Sequence, residues 1–179
     1  MSTTNFLLCG FGGQGILFAG KVLAYEGLTE DKQVSWLPSY GPEMRGGTAN
    51  CNVIIGDEPI GSPIVTYPDV LMAMNLPSLD KFEPMVVKGG KVFSDSTLIE
   101  RKVERDDVEA YYIPATKIAE DNGSPTLANM VLTGYMLKKI GMYDEEVVKN
   151  ALSKVIPARH ADMFDLNLKA LVLGAEYEE

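Results

Sequence analysis

The segment Gly10-Phe11-Gly12-Gly13-Gln14-Gly15 restricts this chain's fold more than any other. It follows the apolar run Asn5-Phe6-Leu7-Leu8-Cys9 and leads into residues 13–27, where Ile16, Leu17, Gly20, Leu23 and Ala24 share one helical face. A short apolar run ended by glycines reads as a buried strand. Strand, glycine turn and helix in that order belong to α/β domains. The glycines permit the tight turn, and the unpaired N–H groups at the helix N-terminus face an anion. Gly10, Gly12, Gly13, Gln14 and Gly15 are therefore candidate cofactor-binding residues. The same pattern also suits a plainer purpose, in which small residues let the first helix pack close to the first strand.

The rest of the pattern extends this reading. Gln33 to Leu37 is predicted as a second strand, stopped by Pro38, and Thr48 to Ile55 as a third, with Ala49, Cys51, Val53 and Ile55 on one face. Gly56-Asp57-Glu58-Pro59 is a turn, from which Ile60 to Thr66 returns as an antiparallel hairpin arm. Asp69 to Met74, Lys91 to Ser94 and Glu109 to Ile113 are further strands, with a short helix at Leu76 to Phe82. Three helical segments follow, around Leu127 to Leu137, Val148 to Val155 and Ala161 to Ala175. Alternating strands and helices predict an α/β fold. We expect one Rossmann-like, three-layer domain over residues 1–179, with a mostly parallel sheet, an antiparallel hairpin insertion and C-terminal helices.

An ordinary nicotinamide site also needs an acidic residue at the end of the second strand, to hold the ribose hydroxyls. Here that strand runs into Leu37-Pro38-Ser39-Tyr40, and Glu43 comes only later, inside the loop Ser39-Tyr40-Gly41-Pro42-Glu43-Met44-Arg45-Gly46-Gly47. This argues against a dinucleotide and turns attention to the loop itself. Loops at the carboxyl ends of parallel strands build the sites of α/β folds. Tyr40, Glu43 and Arg45 are candidate binding residues there. Arg45 suits a phosphate or carboxylate held bidentately, but a planar guanidinium also suits internal bracing, and a structural pair with Glu43 is the plainer reading.

Composition removes several functions. The only cysteines are Cys9 and Cys51 and the only histidine is His160, so a four-thiolate cluster or a multi-histidine metal site is not expected on this chain. We expect neither a catalytic residue nor a bound metal. A net charge of −9 argues against nucleic-acid binding. No apolar run approaches the roughly 18 to 20 residues of a membrane helix, and the first residues lack a signal-peptide pattern, so a cytoplasmic protein is expected.

The glycine turn and the Ser39–Gly47 loop together resemble the gamma subunit family of 2-oxoacid:ferredoxin oxidoreductases. The resemblance continues through Asn52 to Ile60, Pro68 to Met74 and Pro125 to Gly141. It implies one subunit of an enzyme that oxidatively decarboxylates a 2-oxo acid to an acyl-CoA and passes electrons to ferredoxin. It further implies that thiamine diphosphate, its magnesium and the iron–sulfur clusters belong to partner subunits, that CoA is the co-substrate, and that the isolated chain is inactive. The partners are then the other subunits, ferredoxin through the complex, and a possible second copy of this chain. The corresponding subunit of indolepyruvate:ferredoxin oxidoreductase shares these motifs. A freestanding nucleotide-binding module and an interaction protein without a site are the readings from other classes.

Overall fold

Phe6, Leu7, Leu8 and Cys9 are all buried, because the strand that carries them, β1 (Thr4–Phe11), has packed structure on both of its faces. A strand covered on both sides reads as a continuous apolar run rather than an alternation. The structure is a computed structural model that describes residues 3–39 and 48–178. Around β1 stand β2 (Gln33–Ser39), β3 (Thr48–Gly56), β4 (Val70–Ala73), β5 (Lys91–Asp95) and β6 (Glu109–Ile113). They form a six-stranded sheet in the order β2-β3-β1-β4-β5-β6. β3 runs antiparallel to both neighbours, with Leu8 opposite Cys51 and Trp36 opposite Val53, whereas β1, β4, β5 and β6 pair in parallel.

Among the described residues six α-helices cover the sheet: α1 (Ile16–Thr29), α2 (Leu76–Phe82), α3 (Ala115–Asp121), α4 (Ala128–Ile140), α5 (Glu145–Val155) and α6 (Ala161–Ala175). On one face, Phe6, Leu8, Val53, Met72 and Phe93 pack with residues of α1, α3, α4, α5 and α6. On the other, Leu7, Cys9, Leu71, Ala73 and Val92 pack with Leu79 and Phe82 of α2 and with Ile99. Helices on both sides of a mostly parallel sheet give the three-layer Rossmann-like arrangement that the sequence pattern predicts.

Two details of the strand pattern are corrected. Pro38 does not stop the second strand, which continues to Ser39 with Pro38 opposite Cys51. β2 is the edge of the sheet, where alternate N–H groups point away from the neighbouring strand and proline forfeits no ladder bond. Residues 60–66 form no strand. The antiparallel hairpin is instead β2 with β3, and β3 is already flanked by β1 and β2, so neither of its edges is open to a third partner. The short helix α3 carries no long periodicity and stands outside the elements that the sequence pattern predicts.

Local chemistry fixes the helix ends. The Asn75 side chain accepts from Ser78 N at 2.8 Å and caps α2, and Asp144 accepts from Glu146 N and Val147 N and caps α5. α4 and α6 cross at closest range where both carry glycine. A methyl on Gly134 would stand 2.0 Å from the Leu171 carbonyl oxygen, and one on Gly174 would stand 1.8 Å from that of Val131. Backbone meets backbone there, which fixes the register of α4 against α6.

Candidate functional site

β1 and β4 lie side by side and parallel, yet the chain leaves them in opposite directions: β1 feeds α1 on one face and β4 feeds α2 on the other. In an open α/β sheet this switch point opens a crevice at the carboxyl ends of the two strands. The glycine turn occupies its rim. Gly13 and Gly15 have φ of 97° and 74°, a left-handed backbone that favours glycine. Gly15 is the N-cap of α1, and the first helical bond runs from Ala19 N to Gly15 O at 3.0 Å. Gly12 and Gly13 are exposed, and a Cβ built on Gly13 would meet nothing within 4 Å among the described residues. That side of the turn is open to a ligand.

The inner side is braced. Gln14 Nε2 donates to Met74 O at 3.1 Å and Gln14 Oε1 accepts from Phe11 N at 2.6 Å, so both ends of this amide are engaged within the chain. A methyl on Gly10 would meet Gln14 Oε1 at 2.6 Å and Ile16 Cδ1 at 2.9 Å. From α4, Asn129 Nδ2 donates to Gly15 O at 3.0 Å, and a Cβ on Gly15 would stand only 2.4 Å from that nitrogen. Asn129 is not among the residues that the sequence motifs single out. Its signal is a polar amide on the buried face of an otherwise apolar helix. Several polar atoms near this end of the sheet lack a hydrogen-bond partner among the described residues: Asn129 Oδ1, Asn75 Nδ2 and Ser78 Oγ. Tyr40, Glu43 and Arg45 lie outside the described residues.

The turn, with the residues bracing it, offers backbone N–H groups and amides but no nucleophile and no proton-transferring side chain. It can hold and orient an anionic group; it cannot by itself make or break a bond. The cysteines are likewise unsuited to a shared cluster. Cys51 faces the α1 side, its Sγ 2.3 Å from where a Gly20 methyl would be, whereas Cys9 packs with the α2 side. Burial pushes the Cys51 thiol up to about 12 and the Cys9 thiol up further, so both stay protonated and inert.

A second geometric fact bears on nucleotides. In a nicotinamide domain the ribose-binding strand is the immediate neighbour of the first. Here β3 lies between β1 and β2, placing the end of β2 about 10 Å from β1 rather than about 5 Å. An acidic residue there would stand one strand too far from the glycine turn.

The fold therefore defines a three-layer α/β domain with a glycine turn at its switch point, and the described residues of that turn and its braces carry no nucleophile or proton-transferring side chain. The chain belongs to the pyruvate ferredoxin/flavodoxin oxidoreductase family, whose model matches residues 5–177. It is 42% identical to the ketoisovalerate oxidoreductase subunit VorA of Methanothermobacter thermautotrophicus over 95% of this chain and 35% of that protein. The chain thus spans about a third of the length of the VorA relatives that it matches. It is 37% identical to the 2-oxoglutarate synthase subunit KorC of Methanocaldococcus jannaschii, over 84% of this chain and 82% of the other. The crystal structure of the keto/oxoacid ferredoxin oxidoreductase gamma subunit from Geobacter sulfurreducens superposes with a TM-score of 0.81 at 29% identity, covering 97% of this chain and 96% of that one. Similarity to the indolepyruvate oxidoreductase subunit IorB of Thermococcus kodakarensis is weaker, at 25% identity.

Proposed function

We propose that residues 1–179 act as one gamma-type subunit of a cytoplasmic 2-oxoacid:ferredoxin oxidoreductase, in which a 2-oxo acid is oxidatively decarboxylated to an acyl-CoA and the electrons pass to ferredoxin. The observation that carries this reading is the likeness to a 2-oxoglutarate synthase subunit along more than four-fifths of both chains, joined to a glycine turn that can hold an anion but contains no reacting group. Thiamine diphosphate, supplied by a partner subunit, provides the carbanion chemistry of decarboxylation, and iron–sulfur clusters elsewhere in the complex carry the electrons. This chain's share is CoA. The N–H groups of the turn and of the first turn of α1 receive a phosphate, Gln14 holds that backbone in place, and Arg45, in the same sequence loop as Tyr40 and Glu43, adds a cationic contact. The weaker identity to IorB places the indolepyruvate enzyme second.

Affinity purification of the tagged chain from its source tests the assembly. We expect companion chains carrying thiamine diphosphate and iron–sulfur clusters, and reduction of ferredoxin when a 2-oxo acid and CoA are both added. Purification without such companions would sink the reading, and a thermal shift with nucleotides but none with CoA would favour the freestanding module.

A further inference from the structure

We propose that Asn129 is a positioning residue for CoA, acting through Gly15 to hold the glycine turn in its ligand-receiving form; the proposal rests on the CoA reading above. Asn129 is 3% exposed and lies in the first turn of α4, far from the turn in sequence. Its Nδ2 donates to Gly15 O, the same carbonyl that accepts the first hydrogen bond of α1 from Ala19. One amide thus pins the residue where the left-handed turn becomes helix, and with it the direction of the unpaired N–H groups that follow. The pin itself cannot drift. α4 is locked to α6 by the glycine-to-backbone contacts at Gly134 and Gly174, and Thr133 Oγ1 bonds Asn129 O at 2.7 Å within the same helix. Gln14 braces the turn from β4, and Asn129 braces it from the other side.

The buried amide also shows that this contact is more than packing. An alanine or leucine would fill the space without leaving Oδ1 unpaired, yet the site carries a polar group with one acceptor unmatched among the described residues. Such an acceptor costs stability unless something returns the loss. The donor to Gly15 is what the structure shows in return.

The test uses the assembled enzyme carrying Asn129→Ala, Asn129→Asp or, as a reference, Gly13→Asp. Asn129→Asp keeps the shape but removes the donor to Gly15. Gly13→Asp projects a negative charge into the open side of the turn, against a phosphate. We expect Asn129→Ala to raise KM for CoA about three- to tenfold, the loss of one hydrogen bond. Asn129→Asp should raise it more, while KM for the 2-oxo acid stays unchanged. Hydrogen exchange of residues 10–20 in the isolated chain should quicken in both Asn129 variants, while residues 21–28 exchange as in the wild type. If Gly13→Asp raises KM for CoA and neither Asn129 variant does, the proposal is overturned and the CoA site stands. If none of the three changes it, the CoA reading falls and takes this inference with it. Unaltered exchange in the turn also overturns the proposal, whatever the kinetics.

Discussion

Glu26 of α1 has no exposed surface, and neither of its carboxylate oxygens has a hydrogen-bond partner among the described residues. Burial raises its pKa well above the usual carboxylate range, and the nearby Glu30 and Asp144 raise it further. The folded form therefore holds the proton more tightly than the unfolded chain does. Its effect on stability is absent below about pH 4, and stability is lost as pH rises through the raised folded value. Glu26→Gln removes the titration and keeps the volume. In urea unfolding the variant should match the wild type near pH 4 and exceed it at pH 8, by about 1–3 kcal/mol. A difference that does not change with pH would mean that Glu26 is ionised in the fold. Arg45 is tested in the same spirit. If it meets a phosphate of CoA, Arg45→Ala raises KM for CoA about ten- to a hundredfold and leaves melting of the isolated chain unchanged. If it braces Glu43, melting falls and the KM does not move.

Single helices are set by caps, but their mutual placement depends on close backbone approach. Gly134 and Gly174 let α4 and α6 touch main chain to main chain, and neither neighbour is a side chain that could swing aside. Gly134→Ala and Gly174→Ala should each cost about 1–3 kcal/mol in urea unfolding through overpacking. The double variant should cost less than the sum, because the first methyl already parts the helices. Additive costs would show that each glycine acts alone. The helical spacing of both segments is plain in the sequence. That their glycines face each other is not, since periodicity marks a face and names no partner.

At the scale of the molecule, helices on both faces of the sheet hold a glycine turn whose described residues carry no reacting group. Purified alone the chain should be colourless and should not oxidise 2-oxo acids with an artificial electron acceptor, because Cys9 and Cys51 lie on opposite faces of the sheet. A thiolate-to-iron absorption band in the chain free of other subunits would refute this. Ile64 and Tyr67, 65% and 67% exposed in the connection from β3 to β4, are apolar side chains left to solvent. Among the described residues no helix is long and apolar enough to cross a membrane.

Strand, turn and helix at the start of the chain were legible from sequence because glycine and apolar periodicity act locally. The same holds for α2 at Leu76–Phe82, whose capping asparagine immediately precedes it. The family, too, followed from two linear motifs at a fixed spacing. Tertiary structure alone decided that β3 inserts between β2 and β1, since pairing joins segments by backbone bonds that any sequence of strand character can make. It decided that Pro38 is tolerated, because only position at the sheet edge frees a residue from donating. It also brought Asn129 to Gly15. That contact spans most of the chain, and it exists because a helix locked against α6 delivers one buried amide to the end of β1.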